Sequence, residues 1–145
     1  MNKLGIKAIW LTFALASMTL ADSGVLNANT AAAEEIAGLP HMDEILAEVI
    51  IVNRPFVTIS ELHDLLTADL DDSQLEELYA RLFVPINLNE AKRSDILLIP
   101  GVGGRMAHEF EEYRPYSNIE QFRREIGKYV DETEVARLEQ YVTLD

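Results

Sequence analysis

The chain has 145 residues, of which 48% are apolar, 12 are Lys or Arg, 25 are Asp or Glu, and none is cysteine. This composition is typical of one or two small globular domains. The absence of cysteine excludes a disulfide scaffold, a CxxC redox site and a cysteine zinc site. The formal charge of −13 disfavours general affinity for nucleic acid.

The first residues have the pattern of an export signal. Lys3 and Lys7 precede an apolar run from Ala8 to Leu20, which ends in small residues at Thr19-Leu20-Ala21, where a signal peptidase would read them. The uncharged stretch 8–21 has 14 residues, whereas a transmembrane helix needs about 20. We therefore expect a signal peptide over residues 1–21, no stable membrane span, and a periplasmic or extracellular mature protein.

A second candidate cleavage site ends at Ala33, in Thr30-Ala31-Ala32-Ala33. A cut there would remove the start of the internal repeat described next, so cleavage near Ala21 is favoured. Loss of residues 1–21 takes away Lys3 and Lys7, and the mature chain then carries ten basic and 25 acidic side chains, a net charge of −15.

The rest of the chain contains an internal repeat. Residues 26–85 align without gaps on residues 86–145, at an offset of 60. Apolar positions coincide along the alignment, as in Leu39/Ile99 and Met42/Val102. Identical residues occur at Asn27/Asn87, Asn29/Asn89, Ala31/Ala91, Ile36/Ile96, Pro40/Pro100, Ala47/Ala107, Arg54/Arg114, Pro55/Pro115, Ile59/Ile119, Asp71/Asp131 and Leu78/Leu138. The repeat predicts two equivalent units, residues 22–85 and 86–145.

Within each unit, apolar residues recur every three or four positions, which predicts short amphipathic helices. We expect four helices near 30–38, 42–52, 58–68 and 72–83, and four more 60 residues later. Pro40, Pro55 and their repeats break the pattern, while Thr58 with Glu61 and Ser73 with Glu76 fit capping boxes at helix starts. No stretch alternates as a strand would, so the predicted fold class is all-α.

The second unit resembles a known family over its whole length. It contains Ile86-Asn87-Leu88-Asn89-Glu90-Ala91, then Ile96-Leu97-Leu98-Ile99-Pro100-Gly101-Val102-Gly103, and finally Arg114-Pro115-Tyr116. These strings resemble the helix-hairpin-helix domain of competence-type DNA-uptake receptors (ComEA-like). The resemblance implies two tandem helix-hairpin-helix, four-helix units, of which the first is degenerate, and binding of double-stranded DNA through its backbone without sequence preference.

The resemblance also implies a DNA-backbone site at the Gly-x-Gly hairpin. Glycines allow positive φ and let N–H groups at a helix N-terminus approach a phosphate. The candidate residues are Gly101, Val102, Gly103 and Gly104 with Arg105 as the nearest charge, supported by Lys92, Arg93 and Lys128. The alternative is that the glycines only make a tight turn while Val102 fills the core.

The first unit departs from the family at this hairpin, where it has His41-Met42-Asp43-Glu44. Met42 can fill the core as Val102 does, but Asp43 and Glu44 have the wrong sign for a phosphate. Residues 26–85 carry two basic and 12 acidic side chains, against eight and 12 in residues 86–145. DNA binding is therefore expected only in the second unit.

No catalytic constellation is evident, so the chain is predicted not to be an enzyme and to need no cofactor. His41, His63 and His108 lack the spacing of metal ligands, and no metal site is predicted. Arg54 and Arg114 recur at the ends of second helices, where we expect each guanidinium to offset the helix dipole.

Two functions stay open. The leading hypothesis is DNA-backbone binding linked to DNA uptake, and the alternative is a structural or protein-interaction module that has lost DNA binding. The feature that separates them is whether the basic residues of the second unit form one patch.

Overall fold

The computed structural model describes residues 24–145, so the predicted signal peptide lies outside the described residues. Within this range the chain is mainly helical. The first half consists of β1 (Leu26–Asn27), α1 (Ala33–Ala37), α2 (Glu44–Val52), α3 (Ile59–Leu66), α4 (Asp72–Tyr79) and β2 (Leu82–Phe83). The second half consists of β3 (Ile86–Asn87), α5 (Arg93–Ile96), α6 (Gly104–Glu112), α7 (Ile119–Ile126), α8 (Glu132–Glu139) and β4 (Val142–Thr143).

The two halves have the same element order at an offset of 60 residues, with α5 one residue shorter than α1. The offset extends to backbone details. His41 and Gly101 both have positive φ, and the peptide bonds before Pro55 and Pro115 are both cis.

The expectation that the fold contains no strands was wrong. Each half is closed by a parallel pair of two-residue strands, β1 with β2 and β3 with β4. The Leu26 N–H donates to the Arg81 carbonyl at 2.8 Å, and the Ile86 N–H donates to the Tyr141 carbonyl at 2.9 Å. Two residues are too few to show alternation, and the pairing joins positions more than fifty residues apart.

These strands also explain where the fourth helices end. The predicted helix over 72–83 stops at Tyr79, because the chain then enters β2, where Leu82 and Phe83 are buried. The start of α4 also differs, since Asp71 rather than Ser73 caps it and Gln74 completes the capping box. Thr58 caps α3 as expected.

The repeated arginines bind backbone carbonyls rather than offsetting a helix dipole. Arg54 Nε and Nη2 each donate at 2.6 Å, to the carbonyls of Ala28 and Ala31. Arg114 makes the same two bonds to Leu88 and Ala91. Each arginine lies two residues after the second helix of its half. Its guanidinium thus ties the chain at that point to the segment that follows the first strand, and the expected dipole role was wrong.

The two halves share one buried junction. The Tyr141 ring meets Phe83 edge-on with centroids 4.9 Å apart. The Ser60 hydroxyl, on α3, donates to Asp95 Oδ1 at 2.5 Å, and Asp95 is 3% exposed. This junction places the α5–α6 hairpin against the first half.

Candidate functional site

The hairpin between α5 and α6 has the geometry that the glycines predict. Gly101 has a φ of 78°, a value that side chains rarely adopt. Val102 is buried, as the tight-turn interpretation expects. Gly103 is the N-cap of α6, and no side chain caps that helix. A Cβ atom at Gly103 would meet nothing within 4 Å, whereas one at Gly104 would lie 3.7 Å from Arg93 Nη2. Of these two glycines, only Gly103 borders open space.

The equivalent hairpin of the first half is closed by its own carboxylate. Asp43 is the N-cap of α2, and its Oδ1 accepts the Leu46 N–H at 2.8 Å. The carboxylate therefore occupies the place that a bound anion would take at this helix N-terminus. His41, at the position of Gly101, lies with Nε2 3.0 Å from Glu77 Oε2.

Two of the cations predicted to support the hairpin, Arg93 and Arg105, lie beside it but have different neighbours. Arg93 Nη1 donates to Glu111 and Nη2 to the Gly104 carbonyl, both at 2.7 Å. Arg105 is exposed beside Gly103, in a depression that Glu109 and Tyr129 also line.

Lys92 and Lys128 lie elsewhere in the second half. Lys92 borders a different recess, with Val57 and Thr58 of the first half. Lys128 lies on the turn after α7, where its ammonium pairs with Glu125 and is 5.0 Å from the centroid of the Tyr113 ring. Its hydrogen bond to Glu125 raises the pKa of Lys128.

The fold thus brings Arg93 and Arg105 to the glycine hairpin and places Lys92 in a separate recess. Most basic side chains of residues 86–145 are held by carboxylates of the same half. The pairs are Arg93–Glu111, Arg123 with Glu120 and Glu139, Arg124 and Lys128 with Glu125, and Arg137–Glu134.

Arg137 is a cation near the hairpin that sequence reasoning missed. Its Nη2 lies 3.2 Å from where a Cβ atom on Gly101 would be, while its guanidinium also pairs with Glu134. The repeat alone does not reveal this proximity. Arg137 aligns with Glu77, and once the contact between Glu77 and His41 is known, the 60-residue offset places Arg137 beside Gly101.

The first half forms the opposite wall of the hairpin's cleft. Residues 97–103 and the α3–α4 region enclose a cleft of about 470 Å³, and the wall contributed by the first half consists of His63, Asp72, Leu75, Glu76 and Tyr79. Burial raises the pKa of Tyr79, with a further contribution from Asp64, so its phenol stays protonated. Its hydroxyl lies 3.1 Å from His63 Nδ1. The acidic residues Asp72 and Glu76 thus line the same cleft as the glycine hairpin.

Two surface features distinguish the first half. One is the outward face of α2, where Ile45 and Val52 are 75% and 67% exposed. The other is a groove of about 680 Å³ between α1 and α2, lined by Ala33, Glu34, Ala37, Gly38, Met42, Asp43, Glu44, Ala47 and Glu48.

Comparisons of the chain with protein-family models, curated proteins and solved structures find no match. Within residues 24–145, no helix has the length and apolar character needed to cross a membrane. The same range contains no group of three or more His, Asp or Glu side chains placed to hold a metal ion.

Proposed function

We propose that the chain is an exported, non-catalytic protein-interaction module made of two tandem helix-hairpin-helix units, with its binding surface on the first. The observation that carries this proposal is the exposed apolar face of α2. Ile45 and Val52 are seven residues apart and therefore lie on one side of the helix, with the half-buried Val49 between them.

Comparison with the second half shows that this face is more than a set of singly exposed apolar residues, which are common on protein surfaces. The residues at the same positions of α6 are Arg105, Glu109 and Glu112, so an equivalent helix in the same fold has a polar outer face. Burying a valine or isoleucine is worth about 1.5–3 kcal/mol. The three aliphatic side chains of α2 therefore offer a partner substantial binding energy.

The distribution of basic residues supports the same function over DNA binding. Of the cations in residues 86–145, Arg93, Arg123, Arg124, Lys128 and Arg137 pair with carboxylates. A duplex would have to compete with these ion pairs, and Asp72 and Glu76 line the cleft beside the hairpin. Non-specific DNA binding depends on several free cations on one face.

Export is part of the proposal, with cleavage near Ala21. The described fold favours this site over Ala33, because a cut after Ala33 would remove β1, whose Leu26 and Asn27 pair with Leu82 and Phe83. Mass spectrometry of the mature protein should find a start near Asp22, and a start at Glu34 would contradict it.

A peptide-binding measurement tests the interaction surface. The probe is a synthetic amphipathic helix of leucine and lysine, titrated against residues 22–145. The variant combines Ile45→Arg with Val52→Glu, which copies Arg105 and Glu112 and leaves the net charge unchanged. We expect a loss of affinity of roughly tenfold or more.

Val57→Ser is the matched control for this measurement. Val57 is also exposed, lies outside α2, and aligns with Ser117. The control should bind as the wild type does. Equal binding by the wild type and the double variant would overturn the proposed surface.

DNA-backbone binding is the second candidate function, and the uncapped N-terminus of α6 favours it. If it holds, the N–H groups that follow Gly103 contact phosphate, with charge from Arg105. Gly103→Asp should then abolish binding to a duplex, because it copies Asp43. No affinity of the wild type at about 10 mM salt, where charges are least screened, would exclude this candidate.

A further inference from the structure

We propose that the groove between α1 and α2 binds an arginine side chain of the partner. This inference rests on the proposed function, since it names the chemistry of the segment that the first half binds. Small residues line the groove, namely Ala33, Ala37, Gly38 and the buried Ala47. Its rim includes the exposed residues Glu34, Glu44 and Glu48.

The second half shows what fits such a groove. Arg93 aligns with Ala33, and its guanidinium lies over the first turn of α6, where Nη2 donates to the Gly104 carbonyl at 2.7 Å. Nη1 donates to Glu111 at the same distance. An arginine of the chain itself thus occupies the space that is left open in the first half.

The alignment gives the corresponding acceptors in the first half. The carbonyl of Glu44 stands where that of Gly104 does, while Glu34 and Glu48 replace Ser94 and His108. The first half has therefore lost the internal guanidinium and also the carboxylate that pairs with it, since Ile51 aligns with Glu111. It has gained three carboxylates, those of Glu34, Glu44 and Glu48. No basic side chain within residues 24–145 forms an ion pair with Glu34, Glu44 or Glu48.

The groove chemistry favours arginine over lysine and over an anion. A guanidinium is planar and has five donors, so it can satisfy a carbonyl and a carboxylate together. A phosphate would meet three carboxylates of its own sign. The α2 face with Ile45 lies about 100° around the helix from Glu44, so a segment with arginine beside aliphatic residues could contact both.

A titration with matched peptides tests this inference. The probes are the pentapeptide acetyl-Ala-Leu-Arg-Leu-Ala-amide and the same peptide with citrulline, which has a similar shape and no charge. Amide chemical shifts of residues 22–145 report the site. We expect the arginine peptide to shift the amides of Ala33, Ala37 and Ala47, and the citrulline peptide to bind roughly tenfold more weakly.

Two single-residue variants locate the binding. Ala33→Arg copies Arg93 and fills the groove, so it should lose binding of the arginine peptide. Ala68→Arg adds the same charge at an exposed turn between α3 and α4 and should retain most of it. Glu48→Gln removes a rim carboxylate without adding bulk and should also weaken binding, whether or not Ala33→Arg folds.

The outcomes separate this inference from the proposed function. Binding of the arginine peptide by Ala33→Arg or Glu48→Gln at wild-type strength would overturn the groove assignment, as would equal losses in Ala33→Arg and Ala68→Arg. If the leucine and lysine helix still binds and depends on Ile45 and Val52, the interaction surface on α2 stands without the groove.

Discussion

Tyr141 of the second half donates its hydroxyl to the main-chain carbonyl of Tyr79 in the first half at 2.9 Å. Burial raises the pKa of Tyr141, so the phenol stays protonated as a donor. The residue aligned with Tyr141 in the first half is Arg81. The contact is therefore specific to the junction and is not part of the repeat.

Loss of this hydroxyl should weaken the junction. Tyr141→Phe keeps the ring against Phe83 but leaves the Tyr79 carbonyl without this donor, so we expect the free energy of unfolding to fall by about 1 kcal/mol. Urea unfolding measures the loss. Tyr116→Phe is the comparison, because the Tyr116 hydroxyl donates to the Phe110 carbonyl within one half. Only the Tyr141 variant should speed amide hydrogen exchange in β2, and unchanged exchange there would contradict the junction role.

The half-buried Arg54 and Arg114 should be difficult to replace. Arg114→Met removes two charged hydrogen bonds and leaves the Leu88 and Ala91 carbonyls without these donors, so the expected cost is about 2–4 kcal/mol. Arg114→Lys should recover little of it, because one ammonium cannot reproduce the fork of a guanidinium. Arg124→Met, at a surface ion pair, should cost less than about 1 kcal/mol. Chemical denaturation compares them, and equal costs for Arg114→Met and Arg124→Met would contradict the assignment.

The two hairpins should respond differently to changes at their positive-φ residues. Gly101→Ala places a Cβ atom in the left-handed region and 3.2 Å from Arg137 Nη2, so it should destabilise by about 1–2 kcal/mol. His41→Gly relieves the same backbone strain but loses the contact with Glu77, so it should be close to neutral. Thermal unfolding of both variants checks this, and a stable Gly101→Ala variant would refute the strain argument.

Stability should depend on pH through the surface ion pairs of the second half. The hydrogen bond from Arg123 lowers the pKa of Glu139, and that from Arg137 lowers the pKa of Glu134, both from an ordinary value of 4.5. A lowered pKa in the folded state stabilises above the unfolded value and loses this effect as pH falls through the folded value. Wild type should therefore exceed Glu139→Gln in Tm at neutral pH, and the difference should vanish in acid.

Salt is the control for this pH dependence. Both carboxylates are partly exposed, so high salt should reduce the difference between wild type and Glu139→Gln at neutral pH. A difference that persists in acid would show that Glu139 acts through packing rather than charge.

Much of the helical structure follows from short-range signals. The bounds of α2 and α6 depend on the spacing of apolar residues and on the prolines on either side, all of which are local. Thr58 caps α3 from the sequence position that a capping box requires. Because the halves align at an offset of 60, a feature of one half predicts the same feature in the other. The positive φ shared by His41 and Gly101 is an example.

Other features depend on residues that are distant in sequence. Nothing near Arg54 indicates that its guanidinium reaches Ala28 and Ala31. The short strands were missed for the same reason, because their evidence is the pairing of Leu26 with Leu82. The surroundings of the glycine hairpin also come from a distant segment, since Asp72 and Glu76 belong to the other half.

The amino-acid sequence by itself therefore determined the repeat, the helical character and the loss of glycine at the first hairpin. Each of these is a pattern of neighbouring residues or a comparison of two aligned positions. Only the tertiary structure decided which carboxylates hold the cations, that Arg93 lies over α6, and that the equivalent groove beside Ala33 is open. Ion pairs and grooves form between segments brought together by packing, and that packing is a property of the whole chain.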